Sequence, residues 1–254
     1  MTSTTSQLFA AICAGNIAMV KTLLESGVDC NSPSHEYYTY EREWSPLIMA
    51  IVYGHSDIVQ VLIQAGADCL SFYNLSDRPE SLLNSEIEAQ LDELNVSCTT
   101  LYTAVGFGNP HIVQMLLDAG AVVDNGDGND TPLNLAICQQ NLAMIQQLIS
   151  AGSDINVDME DGERAVMTAA NTGNLEIVKT LVDAEAELDT YSQGESAVSL
   201  AAQGGHEEVY NYLSPLVSQE DRESVPRDLL ARGIKRQNRR SRPQPSLIED
   251  SSLE

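Results

Sequence analysis

The sequence predicts an all-α fold, a solenoid of stacked helix–turn–helix repeats. Three observations support it: a turn that recurs at intervals near 33 residues, an alanine four residues before each turn, and a leucine eight residues after it. The turn positions are Gly15, Gly54, Gly108, Gln140, Gly173 and Gly205. Their spacings are 39, 54, 32, 33 and 32 residues, so the first two intervals contain insertions relative to a common period.

A first helix is expected before each turn. Its alanine is small enough to let two helices approach closely, and it recurs as Ala11, Ala50, Ala104, Ala136, Ala169 and Ala201. In SPLIMA at 45–50 and TPLNLA at 131–136, a Ser or Thr is followed by Pro. The hydroxyl can cap a helix and Pro is favoured at the first helical position, so both segments are typical helix starts.

A second helix is expected after each turn. It follows an Asn or His, and Asn is a favourable N-cap because its side-chain oxygen accepts a hydrogen bond from an unpaired backbone N–H. The apolar residue four positions after the turn and the leucine eight positions after it share one helical face, which gives the helix an apolar stripe. The segments ESGVDCN, QAGADCL, DAGAVVD and SAGSDIN then place a Gly where a left-handed residue can end the helix.

This repeated pattern resembles the ankyrin repeat family. The resemblance rests on the period of 33, on T-P-L-x-L-A at 131–136, and on the turn followed by L-L and A-G-A-D, over residues 5 to about 217. The positions that the family gives to His after T-P-L hold Ile48, Tyr102, Asn134, Met167 and Ser199. The resemblance implies a stack whose β-turn fingers and first helices line a concave surface that binds proteins. We expect a six-repeat protein of the bacterial type.

We expect one repeat domain over residues 1–217 and a C-terminal tail over 218–254. The repeats are placed at about 5–31, 40–70, 96–125, 127–156, 160–190 and 192–217, with insertions at 32–43 and 71–95. The second insertion places Leu83, Ile87, Leu91 and Leu94 on one helical face. This pattern predicts an amphipathic helix that either packs beside the stack or binds a partner. We expect the tail to be basic over 232–242 and partly disordered.

The charge of the chain is strongly negative and unevenly distributed. It has 37 acidic and 13 basic residues, a net charge of −24. Residues 1–217 hold thirty acidic and five basic residues, whereas residues 218–254 hold seven and eight. Such a repeat domain repels nucleic acid and anionic lipid and favours a partner protein with a basic surface. We expect a monomer that binds such a protein.

The resemblance implies that finger tips and the positions just before each turn face the partner. The aromatic candidates for anchors are Trp44, Tyr53 and Phe107, and the charged candidates at the fingers are Glu41, Arg42, Asp127, Asp130, Glu160, Asp161, Glu163 and Glu195. Aromatic side chains with charged neighbours are typical of a contact hot spot. In the alternative interpretation Trp44 and the tyrosines cover the enlarged second finger and pack on each other, and the acidic residues form a solvated face.

No catalytic motif is present in the sequence. A P-loop, G-x-S-x-G and H-E-x-x-H are all absent, and the acidic run DNGDGND at 124–130 does not fit an EF-hand loop. The five cysteines are far apart and odd in number, which is typical of a reducing compartment. The N-terminus has no basic region and its apolar run is too short for a signal peptide or a membrane span. We expect a cytoplasmic, non-catalytic protein that binds no metal or cofactor.

Two functions remain open from the sequence. The first is an adaptor that binds a partner protein through the concave finger and first-helix surface. The second is a regulatory protein whose basic C-terminal tail docks on its own acidic groove. The charge of the tail segment 232–242 motivates the second hypothesis, because it is opposite to the charge of the repeat domain.

Overall fold

The computed structural model describes residues 4–33, 44–74, 83–92, 94, 97–126, 130–159, 162–226 and 228–240. They belong to two compact units, residues 1–165 and residues 166–254, and each unit is described by itself. The division falls within the region 1–217 that the repeat pattern predicts to be one domain.

The first unit consists of four helix pairs and one inserted element. In chain order it contains α1 (Thr4–Cys13), α2 (Ile17–Glu25), α3 (Pro46–Val52), α4 (Ser56–Gln64), β1 (Phe72–Asn74), α5 (Ser85–Leu91), β2 (Ser97–Thr99), α6 (Thr100–Gly106), α7 (Pro110–Asp118), α8 (Pro132–Cys138) and α9 (Leu142–Ser150). The first helices pack in the order α1, α3, α6 and α8, and the second helices α2, α4 and α7 do likewise. The unit therefore has two helical layers with an apolar core between them.

The second unit continues the helix pairs and adds two helices. It contains α10 (Ala165–Thr172), which begins at the boundary, α11 (Leu175–Asp183), α12 (Ala197–Gly204), α13 (Glu207–Leu213), α14 (Gln219–Ser224) and α15 (Leu229–Arg240). Helix α12 packs on α13, and α11 also packs on α13. The apolar stripe predicted for the second helices is buried here, since Ile177, Leu181, Val209 and Leu213 are all inaccessible to solvent.

The turns between paired helices have left-handed backbone conformation. The φ angles at the six turn positions are 63°, 70°, 67°, 54°, 79° and 78° in chain order. Five of these positions are Gly, for which a positive φ carries no steric penalty. The fourth is Gln140, and a second non-glycine residue, Glu185, has φ 67° after α11. The fold thus imposes the same backbone conformation even where glycine is missing.

The residue after each turn has one of two roles. Asn16, Asn109, Asn141 and Asn174 accept hydrogen bonds from backbone N–H groups and cap the second helices, as predicted. The histidines at this position do not cap. The ring of His55 lies over Gly15, where an added Cβ would be 3.0 Å from it, and His206 Nε2 lies 2.9 Å from the backbone oxygen of Asn171. Each histidine therefore links its turn to the preceding helix pair.

The predicted helix of the second insertion is present as α5. Asn84 caps it, and Ile87 and Leu91 are buried on one face, whereas Leu83 and Leu94 of the predicted apolar stripe lie outside the helix. Strands β1 and β2 pair antiparallel, with Phe72 opposite Thr99 and Tyr73 opposite Cys98. The two ends of the insertion are thereby held together at the base of the third helix pair.

The C-terminal tail is more ordered than its composition predicts. Residues 229–240, which include most of the basic segment, form helix α15, and this helix packs on α12. The contact centres on Gly233, which is buried against the backbone of Ala202 and Gly205. Because neither glycine has a side chain, the two helices approach closely enough for backbone contact. Residues 241–254, the other part of the tail predicted to be disordered, lie outside the described residues.

Candidate partner-binding surface

Trp44, predicted to be an exposed anchor, is instead part of the core. Its side chain is fully buried, and its ring meets Tyr73 of β1 edge-on, with centroids 5.5 Å apart and planes at 68°. Edge-to-face aromatic pairs of this kind are favourable packing interactions. The antiparallel strands of the insertion hold Tyr73 in place, and this long-range contact makes Trp44 inaccessible to a partner. Trp44 is therefore a packing residue, but its described contact is with β1 of the insertion, and the finger residues 34–43 of the alternative interpretation lie outside the described residues.

Five of the charged candidates lie outside the described residues. They are Glu41, Arg42, Asp127, Glu160 and Asp161. Their participation in partner binding therefore remains a prediction.

Tyr53 lies at the surface, at the end of α3, and contacts two elements. Its ring stacks on His55 at a centroid distance of 5.8 Å with planes 13° apart, and its hydroxyl is hydrogen-bonded with the thiol of Cys13 on α1. Burial of the phenol, together with Cys13, raises the pKa of Tyr53 to about 12. Tyr53 is therefore a neutral, half-buried ring at neutral pH, held in place between two first helices.

Phe107 has the corresponding position at the end of α6 and is also half-buried. The residue before it, Gly106, is covered by Leu94 from the insertion: an added Cβ on Gly106 would lie 2.7 Å from Leu94 Cδ2. On the other side, Gln139 Nε2 of the next pair donates a hydrogen bond to Gly106 O at 2.8 Å. The insertion thus reaches the position before the turn in the third pair, which the repeat pattern does not predict.

Asp130 and Glu163 both act electrostatically on Cys138, the last residue of α8. Cys138 reaches solvent, yet partial burial and then the negative charges of Asp130 and Glu163 raise the pKa of its thiol. Asp130 is further held by Tyr102, whose hydroxyl donates to Asp130 Oδ2 at 3.3 Å. The fingers of the fourth and fifth pairs therefore present carboxylates beside the end of α8.

These observations define a surface in the first unit, which we call the pre-turn surface. It consists of Cys13, Tyr53, Phe107, Cys138 and Gln139, the residues that end the four stacked first helices. It is bordered by Asp130 and Glu163. The surface has neutral aromatic and thiol groups at its centre and carboxylates at one side.

Glu195, in the second unit, is folded back along α12. Its carboxylate accepts hydrogen bonds from Ser199 Oγ at 2.5 Å and from Gln203 Nε2 at 2.6 Å. Ser199 stands at the position that the family gives to His, and it also joins the capping box of α12 with Ser196. Glu195 is thus positioned by its own repeat, and part of its hydrogen-bonding capacity is already used.

A polar cleft of about 420 Å³ lies between α12 and α15 in the second unit. It is lined by Asn171, Gln203, Gly204, His206, Arg236 and Gln237. Three of these residues come directly before the turns of the fifth and sixth helix pairs. The repeat pattern does not predict this cleft, because the cleft depends on the position of α15.

We find no metal cluster and no membrane-crossing helix in the part of the chain that the structure describes. Within it, no three or more His, Cys, Asp or Glu side chains are grouped to hold a metal ion. None of its helices is both long and apolar enough to cross a membrane.

Comparison with known families agrees with the helix pairs and their left-handed turns. The profile described as "Ankyrin repeats" matches the chain in three copies, over residues 3–73, 74–159 and 136–221. The chain belongs to the ankyrin repeat family. Ankyrin repeats are generally non-enzymatic modules for protein–protein interaction.

Known relatives share the repeats over part of their length. The B-cell lymphoma 3 protein homolog of Mus musculus is 33% identical over 114 residues, which is 42% of this chain and 25% of that protein. Cortactin-binding protein 2 of Equus caballus is 32% identical over 104 residues, 41% of this chain and 6% of that protein. The ankyrin repeat and KH domain-containing protein mask-1 of Caenorhabditis elegans is 29% identical over 132 residues, 40% and 5% respectively. The chain thus spans a quarter or less of each of these relatives. That the chain is an ankyrin protein of the bacterial type remains a prediction.

Proposed function

We propose that this protein is a non-catalytic adaptor that binds a partner protein through the pre-turn surface of its first unit. The observation that carries the proposal is the pair of half-exposed aromatic residues, Tyr53 and Phe107, at equivalent positions on stacked helices. Aromatic side chains fixed by their surroundings lose little conformational entropy on binding, and they are enriched among residues that dominate interface energy.

The carboxylates beside this surface give the partner its expected charge. Asp130 and Glu163 lie next to the end of α8, and the whole chain has a net charge of −24. Complementary charge mainly increases the association rate and excludes partners of the wrong sign. We therefore propose a partner with a basic contact surface, and we extend this role to the finger residues outside the described ranges.

A capture experiment with matched variants tests the proposal. The wild-type chain, a Tyr53→Ala/Phe107→Ala variant and a Gln60→Ala variant are immobilised and exposed to a lysate of the native cell. Gln60 is exposed on the second-helix layer and serves as the control. We expect a protein retained by the wild type and by the control but lost from the double variant.

Titration with the purified partner then measures how much the two aromatic rings contribute to the binding free energy. Removing both rings should weaken binding by about 2 kcal/mol or more, roughly thirtyfold in Kd, if these residues are hot spots. Asp130→Asn/Glu163→Gln should mainly lower the association rate, and more so at low salt. Equal affinities of the wild type and the folded double variant would contradict the proposed surface.

A second candidate function is regulation by the tail. The packing of α15 on α12 favours it, because the tail does contact the repeats. The contact made through Gly233 is a backbone contact, however, and Arg232 of α15 pairs at 2.6 Å with Asp228 just before the same helix. In this function, removal of residues 226–254 would increase partner affinity, whereas an adaptor with a structural tail would show no gain.

We also propose a monomer in a reducing, cytoplasmic environment. All five cysteines are thiols in the structure, and burial is the main cause that raises the pKa of Cys13, Cys30, Cys69 and Cys138. A raised pKa leaves less of the reactive thiolate at neutral pH.

A further inference from the structure

The cleft between α12 and α15 contains an arginine that lacks a charge partner within the described part of the chain. Some other described basic side chains are engaged: Arg164 pairs with Asp158 at 2.7 Å, Arg232 with Asp228, and Lys179 lies over the ring of Tyr212. Arg236 is exposed and lines the cleft, and no described residue forms an ion pair or hydrogen bond with it.

The wall opposite Arg236 supplies neutral polar groups. The backbone oxygen of Asn171 accepts a hydrogen bond from the His206 ring, while the side-chain amide of Asn171 has no partner among the described residues. Gln203 has its Nε2 committed to Glu195 at 2.6 Å. The donors that remain for a ligand are therefore the guanidinium of Arg236, the amide nitrogen of Asn171 and the second N–H of Gln203.

The glycines around the cleft determine its shape. A Cβ on Gly204 would collide with the ring of His206, so the missing side chain keeps one side of the cleft open. A Cβ on Gly233 would collide with the backbone oxygen of Ala202, so a glycine is needed for α15 to approach α12. Arg236 follows Gly233 by three residues, about one helical turn, which places both on the side of α15 that faces α12.

We propose that this cleft binds a carboxylate, namely the side chain of an Asp or Glu in a partner polypeptide. A guanidinium can donate two parallel hydrogen bonds to the two oxygens of one carboxylate, and a neighbouring amide can donate a third. The inference concerns the second unit alone, and it does not depend on the function proposed for the pre-turn surface of the first unit.

The surroundings favour a single carboxylate over an extended polyanion. Glu207 and Glu208 follow His206 directly and are exposed. A nucleic acid or anionic membrane that reached Arg236 would also meet these carboxylates, and the repulsion would add to that of a strongly negative protein. One acidic side chain in an otherwise neutral segment carries a single negative charge and is repelled less than a polyanion.

The experiment is an NMR titration of the full chain with small probes. N-acetyl-glutamate α-amide carries one side-chain carboxylate, and N-acetyl-glutamine α-amide is its neutral isostere. We expect saturable shifts of the side-chain nitrogen signals of Arg236 and Asn171 with the glutamate probe, in the millimolar range, and at least tenfold weaker binding of the glutamine probe. N-acetyl-phosphoserine α-amide tests whether a phosphate is preferred.

Two charge-matched variants separate the cleft from general electrostatics. Arg236→Gln should abolish the saturable shifts at Asn171, whereas Lys235→Gln, which removes the same charge from an exposed neighbour that does not line the cleft, should leave them within twofold. An absence of saturable shifts in the wild type, tighter binding of the phosphoserine probe, or equal losses in both variants would each overturn the proposal. Because the readout comes from side chains of the second unit, its failure would leave the capture experiment on Tyr53 and Phe107 unaffected.

Discussion

The carboxyl groups of Asp189 and Asp221 are hydrogen-bonded to each other and are both held by Ser218. The Ser218 backbone N–H donates to Asp189 Oδ1 at 3.0 Å, and its hydroxyl donates to Asp221 Oδ2 at 3.0 Å. Asp221 is almost completely buried, and its Oδ1 has no hydrogen-bond partner when the carboxylate is charged. Two carboxylates in contact repel each other, so the arrangement favours one shared proton.

The pair predicts a stability that decreases as the pH rises through about 6. Burial first, and then Asp189, raise the pKa of Asp221 to about 6, whereas hydrogen bonds from Asp221 and Ser218 lower the pKa of Asp189. A raised folded-state pKa stabilises the fold below the unfolded-state value and loses that effect as the pH rises through the folded-state value. The lowered pKa of Asp189 has the opposite effect: it stabilises the fold above the unfolded-state value, and this stabilisation is lost as the pH falls through the folded-state value. The pair should therefore stabilise the second unit most near pH 4, and this stabilisation should be lost as the pH rises through about 6.

Asp221→Asn tests this expectation, because Asn resembles the protonated acid and can donate to Asp189. We expect the variant to be more stable than the wild type at pH 7.5 by about 1 kcal/mol, and the difference to shrink as the pH falls through about 6 and to vanish near pH 4. Thermal unfolding, measured across this pH range, gives the free energies of unfolding of the wild type and the variant. Glu220→Gln, an exposed change in the same helix, is the control and should leave the pH profile as it is. Parallel profiles of the wild type and Asp221→Asn would contradict the shared proton.

Gln140 offers a test of the left-handed turn. Its φ of 54° is unfavourable for a residue with a Cβ, so Gln140→Gly should stabilise the protein by about 1 kcal/mol. The reverse change, Gly108→Gln, should destabilise by a similar amount, since no atom lies within 4 Å of a Cβ at Gly108 and the backbone is the main cost. Urea unfolding midpoints measure both. If Gln140→Gly were the less stable protein, contacts of the Gln140 side chain would outweigh the backbone penalty.

Trp44 should behave as a core residue. We expect Trp44→Ala to destabilise the fold by about 3–5 kcal/mol, and Trp44→Phe by less, because the indole fills the space against Tyr73. Circular dichroism during urea unfolding measures both variants. Since Trp44 is the only tryptophan, its fluorescence should be blue-shifted in the native state and shift to the red on unfolding. A native emission maximum typical of water-exposed indole would contradict the burial.

The features that the sequence predicts well are those determined by nearby residues. Helix caps such as Asn141, the left-handed turns and the apolar stripes depend on residues a few positions apart, and they repeat with the period. The burial of Trp44 and the cover that Leu94 gives to Gly106 depend on an insertion that folds back on the repeats. No periodic signal describes such contacts, so the exposed or buried state of the aromatic residues could not be derived from the pattern.

The tail contains a small residue at the spacing of the repeats, although its basic charge is typical of a disordered segment. Gly233 follows Ala201 by 32 residues, the spacing that separates the small residues of successive first helices. Gln237 and Asn238 repeat the Gln140–Asn141 dipeptide at the corresponding turn position. The basic residues suggested a disordered segment, whereas the spacing of the small residue indicated one more helix on the stack.

Gly233 therefore provides a test of whether the tail helix is a fixed part of the second unit. Gly233→Ala introduces a Cβ that collides with the backbone of Ala202 and Gly205, so we expect α15 to separate from α12. Hydrogen exchange of the α15 amides should then become faster by at least tenfold, equivalent to about 1.4 kcal/mol of local stability. Ala231→Gly, on an exposed position of the same helix, lowers helix propensity without this collision and should speed exchange of the α15 amides by less. Protection of α15 that is equal in Gly233→Ala and the wild type would show that the glycine contact does not hold the helix in place.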